Sequence, residues 1–151
     1  MLRQSFAERL RQAMKERDAR TVSAVRLILA ALKERDVAAR GRDKPEGLSE
    51  AEIGAMLQGM VKQRRESIAL YEQGKRPDLA QKEADEIAVI ESFLPRQMSE
   101  DEIEASARAA IAETGAAGPK DMGKVMAMLR ERHSATIDLG RAGPIVRRLL
   151  G

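Results

Sequence analysis

The chain has 151 residues, a net charge of +3, no cysteine and only three aromatic residues. The lack of cysteine excludes disulfides, thiol nucleophiles and cysteine-ligated metal sites. No apolar run approaches the ~20 residues that cross a bilayer, and the first residues, "MLRQSFAERL", lack the apolar core of a secretory signal. We therefore expect a cytoplasmic protein without a membrane partner.

The composition predicts helices. Ala, Leu, Met, Glu, Arg and Lys dominate and favour helix, whereas alternating runs of β-branched residues, which build sheets, are missing. We predict an all-α protein of two helical subdomains. The first would hold about four helices in residues 1–95, and the second a smaller set of three helices in residues 96–151, with the joint between Pro95 and Ser99.

The first two helices are predicted from apolar spacing. A helix over residues 2–17 would carry an apolar stripe of residues four apart: Leu2, Phe6, Leu10 and Met14. Asp18 is predicted to cap the second helix, whose buried face would consist of Val22, Val25, Leu29 and Leu32.

The next two helices carry start and stop signals. Ser49 with Glu52 three residues later is a capping box, which satisfies free amides at a helix start. The third helix would end at Gly74, and Pro77 suits the first turn of the fourth. Pro95 is predicted to end that helix, because the residue before a proline resists helical geometry.

The second subdomain begins with another capping box, Ser99 with Glu102. Gly115 and Gly118 would break the fifth helix, the sixth would start around residues 119–121, and the last would follow Gly143 and Pro144. Their predicted apolar faces include Ile103, Ala107, Ile111, Met122, Val125, Met126, Leu129, Ile145, Val146, Leu149 and Leu150.

Charge is distributed unevenly along the chain. Residues 1–45 hold 12 Lys and Arg against 6 Asp and Glu, residues 46–104 hold 7 against 14, and residues 105–151 hold 8 against 4. Basic ends around an acidic middle point to a polyanionic partner. The alternative is an ordinary helical surface of mixed charge.

The stretch "GPKDMGKVM" is close to a nucleotide-binding P-loop but fails on chemistry. Val125 offers no hydroxyl to Mg²⁺, and Pro119 removes a backbone amide that a phosphate cradle needs. We predict a helix start here, with Asp121 in the first turn and Gly123 allowing close packing. Such a helix terminus beside Lys120 and Lys124 can hold a phosphate without hydrolysing anything.

No catalytic, metal or cofactor site is expected. His133 is the only histidine and is predicted at a helix end, where the dipole favours it. Glu83, Asp85 and Glu86 are interpreted as a solvated face with Lys82, not as catalytic carboxylates.

A second basic patch lies in "KQRRESIALYEQGKRPDLA". Its members are Arg64, Arg65, Tyr71, Lys75 and Arg76. The alternative is a helix end decorated with solubilising charge. Single-strand binders usually stack bases on several aromatic residues, so any RNA here would be bound through phosphates and shape.

Two blocks resemble the YqeY family: "RRESIALYEQGKRPDLAQKEADEIAVIESFLPRQMSEDEIEA" and "PKDMGKVM". The first carries the family's R-x-x-x-I-x-x-[YF]-x-x-[GA]-x-R-x-D-L pattern followed by Leu94, Pro95 and Gln97. "RLRQAMKERD" and "VRLILAALK" fit as well, so the resemblance covers the whole chain. Ala127 and Ala135 depart from the family's usual glycines.

The resemblance implies an all-α fold of two helical subdomains and kinship with the tail of GatB, a subunit of tRNA-dependent amidotransferase. That tail is understood as a tRNA-gripping appendage. The family is also associated with carbon–nitrogen ligase activity that uses glutamine as amide donor, but no glutaminase nucleophile or ATP site is visible here.

We therefore expect a non-catalytic module that binds RNA, specifically tRNA, and is not an enzyme by itself. The residues expected to contact RNA are Lys120, Lys124, Arg130, Arg132, Arg141, Arg147 and Arg148. One alternative is an accessory of amidotransferase machinery that partners an aminoacyl-tRNA synthetase or amidotransferase subunits. Another is a protein–protein adaptor.

Overall fold

The computed structural model describes all residues from 1 to 151. It contains seven α-helices, one short 3-10 helix and no strand, which confirms the predicted all-α class. The α-helices are α1 (Leu2–Lys15), α2 (Ala19–Arg40), α3 (Glu50–Gln73), α4 (Pro77–Glu91), α5 (Glu100–Thr114), α6 (Met122–His133) and α7 (Leu139–Leu150), and the 3-10 helix is Pro119–Asp121. None of these helices combines the length and the apolar character that crossing a membrane requires.

The chain divides into two compact units, Met1–Leu94 and Pro95–Gly151. The first unit contains α1 to α4 and the second contains α5 to α7. Each unit has its own buried apolar cluster.

In the first unit, α4 packs along α3 and α2, and α1 packs along α2. The ring of Phe6 meets the ring of Phe93 edge-on, with centroids 4.8 Å apart, so α1 is fastened to the segment that follows α4. The buried cluster consists of Phe6, Val25, Ile28, Leu32, Ile53, Met56, Leu57, Met60, Val61, Ile87 and Ile90.

The predicted faces of α1 and α2 are wrong in detail. Met14 is 53% exposed, and Ala13 is buried in its place. Residues four apart drift by about 40° per step around a helix, so a stripe that starts at Leu2 has rotated away from the core by Met14. On α2, Ile28 is buried, whereas Leu29 is only half-buried.

Both predicted capping boxes are confirmed. Ser49 Oγ accepts from Glu52 N at 3.2 Å, and Glu52 Oε1 accepts from Ser49 N at 3.2 Å. Ser99 and Glu102 repeat the arrangement at 3.2 and 3.4 Å. Each box pins a helix start by local chemistry.

Gly74 caps α3 and Pro77 opens α4, as predicted. However, α4 ends at Glu91, before the predicted stop at Pro95. The amides of Phe93 and Leu94 turn to carbonyls three residues back, at 3.1 and 3.0 Å, so the chain tightens ahead of the proline.

In the second unit, the three helices pack against one another around a core with no aromatic ring. That core consists of Met98, Ile103, Ala107, Ala110, Val125, Leu129, Ile137, Ala142, Val146 and Leu150. Gly115 ends α5 with φ of 69°, the left-handed conformation that glycine adopts without strain.

The last helix begins earlier than predicted, at Leu139 instead of after Pro144. The reason is a cap that we missed: Asp138 accepts from the amides of Gly140 and Arg141, at 2.9 and 3.3 Å. Pro144 therefore lies inside α7, where it lacks the N–H that would bond to the Gly140 carbonyl.

The expectation that Gly123 serves close packing is also wrong. A methyl group built at Gly123 meets no atom within 4 Å. No neighbouring element approaches closely enough there to require glycine.

Gly59, in the interior of α3, is equally unobstructed, since a methyl group there meets no atom within 4 Å. We expect Gly59→Ala to stabilise the first unit by about 0.5 to 1 kcal/mol, because glycine is a poor helix former. Urea denaturation followed by circular dichroism measures this. Gly115→Ala is the contrasting variant: its positive φ makes alanine strained there, and it should destabilise the second unit. A loss of stability in Gly59→Ala would show that the position needs glycine for another reason.

Candidate nucleic-acid interface

Four of the seven cations predicted to contact RNA are exposed and make no ion pair. Lys120 lies in the 3-10 turn, and Lys124 lies in the first turn of α6. Arg130 is in the last turn of α6, and Arg147 is in the last turn of α7. We call these residues the free cations of the second unit.

The turn before α6 is held by Asp121. Its Oδ2 accepts from Ala117 N at 3.0 Å, and no side chain caps the start of α6 itself. That hydrogen bond, with the charges of Lys124 and Lys120, lowers the pKa of Asp121. The start of α6 therefore has no side-chain cap and lies next to two lysines, Lys120 and Lys124, as an anion site requires. The carboxylate of Asp121 lies close to both lysines.

The other three predicted cations are paired with carboxylates of α5. Arg141 meets Glu100 at 3.1 Å, and Arg148 meets Glu104 at 3.2 Å. Arg132 pairs with Glu113. Because these ion pairs are solvent-exposed, each contributes little free energy to the stability of the fold. A phosphate can therefore displace a carboxylate from these arginines with little loss of stability.

The second predicted basic patch is largely neutralised by the chain itself. Arg64 Nε lies 2.8 Å from Glu86 Oε2, and both side chains are mostly buried. Arg65 pairs with Glu91 at 3.2 Å, and Arg76 pairs with Asp78 at 3.1 Å. These guanidinium groups already have anionic partners.

The interpretation of Glu83, Asp85 and Glu86 as a solvated face is wrong. All three are half-buried. Glu86 holds Arg64, and Asp85 accepts from Arg20 Nη1 at 2.8 Å. Glu86 thus links α4 to α3 through a mostly buried ion pair, and Asp85 links α4 to α2 through a more exposed one.

No group of three or more His, Cys, Asp or Glu residues is arranged to hold a metal ion. His133 is the last residue of α6, at the helix end where it was predicted.

A further set of cations escaped the sequence interpretation. Arg26, Lys33 and Arg40 of α2 are exposed and lie seven residues apart. That spacing is visible in the sequence, and it could have been found by asking which charged residues share one helical face.

A family model described as Yqey-like protein matches residues 3–150. The chain therefore belongs to the YqeY family, and the resemblance seen in its motifs is confirmed.

Two relatives carry the name "Altered inheritance of mitochondria protein 41, mitochondrial". The protein from Kluyveromyces lactis is 30% identical over 84 residues, which is 56% of this chain and 43% of the relative. The protein from Candida glabrata is 34% identical over 85 residues, 56% of this chain and 45% of the relative. The matched segment thus spans less than half of either relative.

Proposed function

We propose that the chain is a non-catalytic module that binds RNA, and that its ligand is tRNA. The observation that carries the proposal is the set of free cations in the second unit: Lys120, Lys124, Arg130 and Arg147. The other Lys and Arg residues of that unit all form ion pairs with carboxylates, so these four are the cations that an external anion can bind without displacing a carboxylate.

The chemistry favours phosphate contacts over base recognition. The second unit has no Phe, Tyr or Trp side chain, so it lacks the large rings on which single-strand binders usually stack bases. Lys and Arg contacts to phosphates position a nucleic acid without reading its sequence. Shape must then select the ligand, and a folded RNA presents a distinctive shape.

tRNA is chosen over other folded RNAs because of the similarity between the YqeY family and the GatB tail. The proposal also places the chain in the cytoplasm, although the two named relatives carry "mitochondrial" in their names. In this proposal the second unit binds the tRNA, and neither unit catalyses a reaction.

The test is the salt dependence of tRNA binding. Four phosphate contacts predict that log K falls with log salt concentration with a slope of about −3. Replacing Lys120, Lys124, Arg130 and Arg147 by Gln should flatten that slope and weaken binding by more than about tenfold at low salt. Filter binding or fluorescence anisotropy at several salt concentrations measures both quantities.

The matched control removes four exposed, unpaired cations of the first unit by the same Gln substitution: Arg11, Arg42, Lys62 and Lys82. The control should bind tRNA nearly as the parent chain does. Equal losses in both variants would reduce the effect to net charge, and salt-independent binding would contradict the proposal.

A further inference from the structure

The outward face of α2 carries a row of three cations. Arg26, Lys33 and Arg40 lie on one line along the helix, because seven residues make almost two full turns. All three are exposed, and none makes an ion pair. Arg3, Arg20 and Arg64 of the same unit pair with carboxylates, but several other cations of the unit are unpaired, so the regular spacing is what distinguishes this row.

A seam of small and apolar residues runs beside this row. Ser23, Ala30 and Val37 repeat with the same seven-residue spacing, and all are exposed. Val37 is 61% exposed, and Leu27 on the far side of the seam is 43% exposed. The buried face of α2, which contains Ile28 and Leu32, lies on the opposite side.

The seam opens into a depression of about 700 Å³ at the start of α2. Exposed Met14 and Leu27 supply apolar walls, and Arg17 and Arg26 supply the charged rim. An apolar side chain entering it would cover methionine and leucine surface that water now contacts.

Apolar surface beside a regular row of charge fits a protein better than a phosphate backbone. A sugar–phosphate chain would satisfy the cations but would leave Leu27, Val37 and Met14 exposed. An amphipathic helix with acidic residues beside its apolar stripe satisfies both sets of residues at the same spacing.

We propose that the outward face of α2 docks an acidic amphipathic α-helix of a partner protein. Ala30 and Ser23 allow the two helix axes to approach closely, as small residues do at helix contacts. An apolar side chain of the partner enters the depression and packs between Met14 and Leu27. Carboxylates flanking its apolar stripe meet Arg26, Lys33 and Arg40, as charged flanking positions do in coiled coils.

The test uses the full chain and a synthetic helical peptide of about three heptads, with leucines along one stripe and glutamates flanking it. A second peptide has lysine at every glutamate position. The acidic peptide should bind in fluorescence anisotropy, and the lysine peptide should bind at least about tenfold more weakly.

Two variants of the chain locate the binding. Reversing the charge of the row with Arg26→Glu, Lys33→Glu and Arg40→Glu should lower the affinity for the acidic peptide by about tenfold or more. Ala30→Trp should also weaken it, because a bulky ring keeps the helices apart. The control reverses Arg11, Arg42 and Lys62, which are exposed and unpaired, and should leave binding unchanged. Circular dichroism confirms that each variant is folded.

Three results would overturn the proposal. The first is equal affinity of the chain for the acidic and the lysine peptide, or an equal loss of affinity for the acidic peptide in the row variant and in its control. The second is a loss of tRNA affinity in the row variant with no change in peptide binding, which assigns the row to RNA. The third is self-association of the chain that the row variant abolishes, which makes a second copy the occupant. The Gln variant of the second unit should keep full peptide binding, so this test is independent of the proposed function.

Discussion

Asp36→Ala is expected to destabilise the first unit by about 2 to 3 kcal/mol, because it removes a buried carboxylate that accepts three hydrogen bonds. Asp36 is only 6% exposed, although it carries a charge. Its carboxylate accepts from Arg3 Nη1 at 2.6 Å, from Arg3 Nη2 at 2.9 Å and from Leu48 N at 2.9 Å. It thereby joins α1, α2 and the loop that leads to α3.

Removing the carboxylate leaves two donors without their acceptor. Arg3 loses its bidentate contact with the carboxylate and keeps only its hydrogen bond to the Leu48 carbonyl at 2.9 Å. The Leu48 amide loses its only acceptor. Urea denaturation followed by circular dichroism should show the loss as a lower midpoint. Glu46→Ala, an exposed acid in the same loop, is the control and should change stability by less than about 0.5 kcal/mol. Equal midpoints for the two variants would contradict the proposed bridge.

The same carboxylate gives the first unit an acid-sensitive stability. The Arg3 guanidinium, acting first through its hydrogen bonds, lowers the pKa of Asp36 from 3.8 to about 2. A lowered pKa means that the ionised form stabilises the fold above about pH 4, and that this contribution is lost as pH falls through 2. Because the Arg3 side chain is partly exposed to solvent, the contribution is on the order of 1 to 2 kcal/mol. The stability difference between the parent chain and Asp36→Asn should therefore narrow between pH 4 and pH 2.

Gly47→Ala is the second variant with a large expected effect, a destabilisation of about 2 to 3 kcal/mol. Gly47 has φ of 78°, which a side chain rarely adopts. A methyl group there would lie 2.4 Å from Asp36 Oδ1 and 2.8 Å from Asp36 Cγ, so the carboxylate must leave its partners. The substitution adds backbone strain to the loss of the Asp36 bridge.

Gly41→Ala is the matched control for that variant. Gly41 lies earlier in the same loop with φ of −68°, and a methyl group there meets its nearest atom at an ordinary 3.5 Å. Its denaturation midpoint should stay near that of the parent chain. In the Asp36→Ala background, Gly47→Ala should cost only the backbone strain, so the two losses should not add. Full additivity would mean that the methyl group does not act through Asp36.

Much of the fold was predictable because its signals are local. The capping boxes at Ser49 and Ser99 need only a residue three positions away, and Gly115 stops α5 by its own conformation. The start of α7 shows how two local signals compete. Pro144 suggested a boundary, but the Asp138 cap, with its own amide partners, decided the start.

The parts that escaped prediction depend on contacts between residues distant in the sequence. Asp36 lies four residues after Leu32 on the buried stripe of α2, but nothing in the sequence identifies Arg3, 33 positions away, as its partner. Glu86 looked like one of several surface acids until its contact with Arg64, 22 positions away, became visible. Which acid finds which base depends on how the helices pack.

The candidate site shows the same contrast between what local sequence predicts and what depends on distant contacts. The sequence identified the residue types that bind phosphate, but it did not distinguish Arg147, which has no partner, from Arg148, which meets Glu104 on another helix. It also gave no weight to Arg26, Lys33 and Arg40, because each looks like an isolated surface charge until they are placed on one helix.

The absence of any ring in the core of the second unit has an optical consequence. Tyr71, the only tyrosine, belongs to the first unit, and the chain has no tryptophan. Intrinsic fluorescence and near-ultraviolet signals therefore report on Met1–Leu94, and Pro95–Gly151 contributes no Phe, Tyr or Trp signal to either of them. A single tryptophan introduced at an exposed position beside Lys124 would report on ligand contact and melting of the second unit without any background from that unit.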